Sequence, residues 1–278
     1  MRAAFVASVP DPRPRARFGE DRIVRICVLA SSSAGNSTFV SAGNTRVLID
    51  AGLSRKEICR RLAAIGENAA ALSAVLVTHE HSDHVCGLLP LLKKFEVPVY
   101  VSRLTAPAIP WAEYTPKLET FQAGERISIG AFDIDTFTVP HDAIDPVGFC
   151  IRAEGLKIGF VTDLGYMPDS VRFHLRGAEF VVLESNHDLD MLKVGPYPWS
   201  VKQRVMGRNG HLSNDGVCGF IRDGLDGGVH TLVLGHLSEH NNHPEIVRLM
   251  AMQALEGRGL GTRLCVAEPR QQSEVFQY

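Results

Sequence analysis

The sequence predicts an α/β fold in which two sheets stack face to face with helices on both outer faces, a four-layer αββα sandwich. Three observations lead there. Short β-rich runs alternate with helical stretches from residue 23 onward. The strands fall into two sets, each followed by helices, and layered packing is how such elements bury their apolar faces. The chain has 278 residues, 45% of them apolar and 22% charged, enough to bury a sizeable core.

The first set opens with "IVRICVLA" (23–30), "STFVSAG" (37–43) and "TRVLIDAG" (45–52), the last two joined by a tight Gly-Asn turn that signals a hairpin. "SRKEICRRLAAIG" (54–66) carries Ile58, Leu62 and Ile65 at helical spacing and stops at Gly66. "ALSAVLVTH" (71–79) reads as a buried strand, "GLLPLLKKF" as a helix and "VPVYVS" as a strand, and residues 103–120 as Pro-rich and irregular. The second set comprises "RISIGAFDIDTFTVPH", "PVGFCIRAEGLKIGFVTD" and "EFVVLESNHD". Helices are expected at Trp199–Arg208 and Ser213–Asp223. A strand at "HTLVLGH" (230–236), a helix at "PEIVRLMAMQAL" (244–255) and a final strand at "TRLCVAEP" complete the set.

Residues 1–22, rich in Arg and Pro and without hydrophobic periodicity, read as a flexible tail or a mis-assigned translation start, leaving 23–278 as a single domain. Six scattered cysteines without a CxxC spacing fit a reducing cytoplasm rather than a disulfide framework. No apolar stretch is long enough to cross a bilayer, so no membrane insertion is expected. The net charge of −2 gives no global sign of nucleic-acid binding, although a locally basic groove can hide inside a neutral total.

Chemistry concentrates in "VTHEHSDHVCGL" (77–88). In a tight loop after a strand, His79 and His81 can aim two imidazoles at one ion, while Asp83 and His84 can reach a second. A polar, solvated loop is the bland alternative. The helix-borne HExxH site fails, because position 83 is Asp83 and not histidine. His141, Asp163 and His236 end three further apolar strands, and Asp50 ends a fourth. Polar, metal-capable residues at so many strand ends are improbable as packing.

His79-x-His81-x-Asp83-His84 followed by His141, Asp163 and His236 resembles the metallo-β-lactamase fold superfamily, whose αββα sandwich agrees with the layer argument. "SSSAGNSTFV", "DAGLSRKEICRRL", "PHDAIDPVGF", "TDLGYM", "ESNHDLDML", "GPYPWSVKQRVMGRNGHLSN" and "HLSEHNN" resemble more narrowly the WalJ/YycJ-type hydrolases. That resemblance implies a 5′→3′ exonuclease acting on DNA with two divalent ions, zinc or manganese. It implies one ion on His79, His81 and His141, a second on Asp83, His84 and His236, Asp163 bridging both, and Asp50 orienting the histidine loop. Two such ions hold a hydroxide between them and clamp a phosphodiester. Asp83 then belongs to the catalytic group as well.

His211, 25 positions before His236, matches the place where related phosphodiesterases carry a phosphate-contacting acid. Capping the next helix beside Ser213 is its alternative role. Glu184 is placed to orient His211, and His187 either meets substrate or is structural. Ser33 and Asn36 sit in "SSSAGNST", a small-residue loop able to approach phosphate, or else a plain turn built on Gly35. It lacks the ending of a P-loop. Lys193, Lys202, Arg204 and Arg208, with Tyr197 and Trp199 between them, suit a strand-binding groove or an amphipathic helix with a solvated basic face. Lys202 and Arg204 are the substrate-binding candidates among them.

The rival readings are a small-molecule hydrolase of the same fold (a cyclic phosphodiester, thioester or lactone), a redox di-iron protein, and a non-catalytic module. His84 argues against a β-lactamase, His81 against di-iron chemistry, and the intact donor set against a mere scaffold. Protein partners are not legible.

Overall fold

The computed structural model describes residues 23–278, and the expected tail at 1–22 lies outside the described residues. The first half builds a sheet from β1 (Val24–Ser32), β2 (Gly35–Ala42), β3 (Thr45–Ile49), β4 (Ala74–Leu76), β5 (Val99–Ser102) and β6 (Leu118–Phe121). The second half builds another from β7 (Arg126–Ile129), β8 (Phe132–Thr138), β9 (Val147–Ala153), β10 (Leu156–Val161), β11 (Phe180–Glu184), β12 (Thr231–Gly235) and β13 (Arg263–Val266). A last strand, β14 (Phe276–Gln277), crosses back to the first sheet. The strand orders are β14-β1-β2-β3-β4-β5-β6 and β13-β12-β11-β10-β9-β8-β7.

Alternation along β1 shows how the layers arise. Val24, Ile26 and Val28 point into the core between the sheets, and Cys27 and Leu29 into the opposite face. The central core joins Val40, Val47 and Ile49 of one sheet to Phe149, Phe160, Phe180 and Val182 of the other. On the outer side of the first sheet lie α1 (Arg55–Ala64), α2 (Ser82–Val85) and α3 (Leu88–Leu92), burying Ile58, Leu62, Leu88 and Leu91 against Leu48 and Val75. On the outer side of the second, α4 (Asp169–Leu175), α7 (Asn214–Asp223) and α8 (Pro244–Gly257) bury Val171, Val217, Phe220, Ile221, Val247 and Ala251. Two short helices, α5 (Leu189–Val194) and α6 (Trp199–Val205), precede α7. Two sheets between two helical layers are the expected αββα sandwich.

Several local expectations need correction. The strand expected over 71–79 is only Ala74–Leu76, because Asn68 caps a short 3-10 turn at Ala69–Ala71 and the chain leaves the sheet after Leu76. Residues 103–120 are not wholly irregular. A 3-10 turn forms at Ala106–Ala108, and β6 extends the parallel edge beside β5. The helices α4 and α5 escaped notice because each is about two turns or less, too short for periodicity to declare. "TRLCVAEP" is not the last strand, since Phe276 and Gln277 pair with Ile26 and Arg25.

The topology decides where function can sit. β3 and β4 run parallel, as do β10, β11 and β12, and β8 is antiparallel to β9, which is antiparallel to β10. The carboxyl ends of β8, β10, β11 and β12 therefore share one edge of their sheet, the side where open α/β sheets bind ligands.

Candidate metal centre

Five strands, three of that sheet and two of the other, bring the polar residues together there. Asp50 follows β3 directly, His79 follows β4 by three residues, His141 follows β8 by three, Asp163 follows β10 by two, and His236 follows β12 directly. Asp50, Asp163 and His236 each adopt positive φ, at 60°, 59° and 54°. Asp and His tolerate that region better than most residues, and strain of this kind collects at functional sites.

The histidine loop is locked from behind. Ala51 N donates to His84 O at 2.8 Å and Gly52 N to Asn36 O at 2.9 Å. A Cβ on Gly52 would lie 1.7 Å from Asp83 O, so only glycine lets the β3 loop pass this close. After the extended His79–His81 stretch, the one-turn α2 presents Asp83 and His84.

Four groups of potential ligand atoms converge here: His79, His81 and His141; Asp83, His84 and His236; His79, His84 and Asp163; and Asp163, Glu184, His211 and His236. His141 Nε2 stands 3.3 Å from His81 Nδ1, and His84 Nε2 stands 3.4 Å from Asp83 Oδ2 and 3.3 Å from Asp163 Oδ2. His236 Nε2 is 3.5 Å from Asp83 Oδ2.

Outer partners fix which ring nitrogen faces inward. His79 Nδ1 meets Thr78 Oγ1 at 3.0 Å, and that hydroxyl donates to Asp50 Oδ2 at 2.8 Å. His84 Nδ1 donates to the same Asp50 oxygen at 2.8 Å, His141 Nδ1 to Gly210 O at 3.0 Å, and His236 Nδ1 to Glu184 Oε1 at 3.0 Å. Each partner accepts, so each Nδ1 carries a proton and each Nε2 is the nitrogen turned inward, where a cation would take the place of any proton it holds, an arrangement common among metal-binding histidines. His79 Nε2 and Asp163 Oδ2 are fully buried and make no hydrogen bond. Orphaned acceptors of this kind are costly unless something positive meets them, so the donor set fits divalent cations.

Charge balance agrees. Burial alone would pull the His84 imidazole down, yet the Asp163 and Asp50 carboxylates raise it to about 10. Burial and neighbouring imidazoles push His79 well down instead. Buried carboxylates here demand positive charge, and the crowded rings can share it only unevenly.

Glu184, the last residue of β11, is buried and fully used. Oε1 accepts from His211 Nδ1 at 2.6 Å and His236 Nδ1, and Oε2 accepts from Leu164 N at 2.9 Å and Leu212 N at 3.1 Å. Burial would raise its carboxyl, but His211 and His236 hold it at about 2. His211 opens on a cavity of about 160 Å³ shared with Ser33, Asp142, Tyr197, Arg204 and Ser238.

Three sequence-based substrate candidates fall elsewhere. Asn36 is buried, and its Nδ2 lies 3.1 Å from both Asp83 Oδ2 and His84 Nε2, so it braces the donor set instead of meeting phosphate. Lys202 is buried with Nζ donating to Lys193 O at 2.7 Å, which removes its ammonium from any groove. His187 is 1% exposed, with neither ring nitrogen partnered, which favours the structural of its two expected roles. Ser33 and Arg204 do reach the cavity, Arg204 paired with Asp142. Sequence reasoning missed Thr78, Gly210 and Asp142. Thr78 and Asp142 each adjoin a metal-capable histidine, which was the available signal.

Fold and site together define a metal-dependent hydrolase. The chain matches the Beta-lactamase superfamily domain over residues 45–236. It is 36% identical to exodeoxyribonuclease YycJ of Bacillus anthracis, covering 84% of this chain and 90% of that one. Identity to exodeoxyribonuclease WalJ of Streptococcus pneumoniae is 35%, covering 84% and 89%. The metallo-β-lactamase fold protein YhfI from Bacillus subtilis superposes with a TM-score of 0.70 at 17% identity, over 92% of this chain and 100% of that one. The chain belongs to the metallo-β-lactamase superfamily and, within it, to the family of YycJ and WalJ. Among the described residues no helix is long and apolar enough to cross a membrane.

Proposed function

We propose that the protein is a dinuclear phosphodiesterase that degrades DNA from the 5′ end, carried by one domain over 23–278 and working in the cytoplasm. The observation that carries the reading is the pair of three-donor groups, His79, His81, His141 and Asp83, His84, His236, set on either side of Asp163 and next to His211. The DNA substrate is supported by the exodeoxyribonuclease names of the relatives.

The first group would hold one divalent ion and the second group another, with Asp163 between them. Asp83, the least buried of these carboxylates, would touch both an ion and the reacting group. Bound there, zinc or manganese supplies Lewis acidity toward the phosphodiester and an ionised water near neutral pH. The chain's own residues do the rest. Asp50, Thr78, Gly210 and Glu184 keep the imidazoles aimed inward before any substrate arrives. Burial would lower His211, but Glu184 and Asp163 outweigh it and raise the imidazole above its ordinary value, which favours the protonated ring. With Nδ1–H on Glu184, His211 offers Nε2–H to the leaving 3′ oxygen of the terminal nucleotide, as general acid. Ser33 and Arg204 contact the phosphate in the adjoining cavity.

Digestion of DNA and RNA, single-stranded and duplex, labelled at either end, with zinc or manganese added, tests the reading. Release of nucleotides from the 5′ end of DNA is expected. Inertness on every strand, with turnover of a cyclic phosphodiester or a thioester, would overturn it.

A further inference from the structure

The structure separates the four cations between His187 and His211. Lys202 is buried on the Lys193 carbonyl, Lys193 reaches Asp190 at 3.1 Å, and Arg204 is bound to Asp142. Arg208 alone of the four is exposed without a carboxylate partner among the described residues. Its guanidinium lies over the Tyr166 ring, 4.4 Å from the centroid. Tyr166 is 36% exposed and stands three residues past Asp163, and Arg208 stands three before His211.

The pair is rigidly tied to the metal centre. Gly165 N donates to Pro140 O at 2.8 Å, and a Cβ on Gly165 would lie 2.3 Å from Arg208 O. Gly210 O in turn takes His141 Nδ1. The loops carrying His141, Asp163 and His211 are thus stacked on one another, with Tyr166 and Arg208 at their shared border. A guanidinium held over an aromatic face by cation–π attraction keeps outward N–H groups free, and these match a phosphate with two hydrogen bonds.

We propose that Arg208, held in place over Tyr166, takes a backbone phosphate of the nucleic-acid strand outside the reacting bond. This contact makes a strand a better substrate than a small diester. It rests on the nuclease reading above. Arg208 is a specificity-determining residue, and Tyr166 is a positioning residue acting through it.

The test compares kcat/KM for a single-stranded oligonucleotide, over a sodium chloride series, with kcat/KM for bis(4-nitrophenyl) phosphate. Arg208→Gln is expected to lower the strand-to-diester ratio roughly tenfold, mainly through KM. It should also flatten the log–log salt dependence by about 0.7, the loss of one phosphate contact on a single strand. Arg208→Lys keeps that slope, and Tyr166→Phe keeps both quantities. Tyr166→Leu raises KM while leaving the slope, because the charge remains. An unchanged slope in Arg208→Gln, or equal losses on both substrates, overturns the proposal. Wild-type protein that hydrolyses the diester but no strand overturns the nuclease reading itself and this contact with it.

Discussion

The Glu184 carboxylate and the His211 ring are joined by a hydrogen bond of 2.6 Å, and the same oxygen takes the Nδ1–H of His236 at 3.0 Å. One atom therefore orients both the candidate acid and a metal-capable histidine. Its sister oxygen holds the backbone of Leu164 and Leu212, so the carboxylate is fixed from both sides.

That arrangement leaves an amide no good pose. In Glu184→Gln one terminal group is an NH2, and whichever way it turns, it faces N–H donors. Metal affinity and turnover are expected to fall together by about 10- to 100-fold, the usual loss when a ligand's outer partner is removed. Isothermal titration with zinc and single-turnover rates measure the two quantities. Wild-type affinity with wild-type rate would show that Glu184 orients nothing of consequence.

Thr78→Val tests the relay on the opposite side of the centre. The hydroxyl links Asp50 to His79, and valine keeps the shape while leaving His79 Nδ1–H without an acceptor. The cost is about 1–3 kcal/mol for a buried donor left unmet. The Tm rise on adding zinc should shrink relative to wild type, since the imidazole is no longer pre-aimed. A full zinc-induced rise would count against the relay.

Glu184 was legible in the sequence, and Thr78 was not. His79, His141, Asp163 and His236 were legible because a polar side chain following an apolar strand has few other uses, and His81, Asp83 and His84 because they crowd one short loop beside His79. The two sheets were legible because β1 to β3 and β8 to β12 alternate or saturate with apolar residues over five or more positions. Thr78 and Gly210 were not, because one acts through a hydroxyl that any turn could carry and the other through its carbonyl. Asn36 and Lys202 misled for a related reason. Side-chain chemistry suggested phosphate, but burial and a nearer partner decide what a donor does. β14 is two residues long, and its pairing with β1 joins the two extremes of the described chain.

His211→Ala should separate acid catalysis from metal binding. A DNA 3′ oxygen is a poor leaving group and gains from a proton, whereas 4-nitrophenolate leaves without one. Turnover of DNA is expected to fall by about 10²- to 10⁴-fold, with a far smaller loss on bis(4-nitrophenyl) phosphate. Metal content by mass spectrometry of the native protein should be unchanged. Equal losses on both substrates would place His211 in phosphate binding instead.

His187 carries the last prediction, and it concerns stability. Its ring is buried, neither nitrogen has a partner, and burial pushes its pKa from 6.5 down to about 4. The folded state thus disfavours the proton that the unfolded chain takes up below 6.5. Stability is intact above that pH and is lost progressively as pH falls toward 4, by up to about 3 kcal/mol. His187→Phe keeps the ring's bulk while removing both unmet polar atoms and the titration. The variant should match or exceed wild type by about 1 kcal/mol at pH 7.5, and the gap should widen steadily between pH 6.5 and pH 4 in urea melts. A variant that is less stable at every pH, or that loses turnover at pH 7.5, would mean that the imidazole has a partner in solution and that His187 belongs to the working site after all.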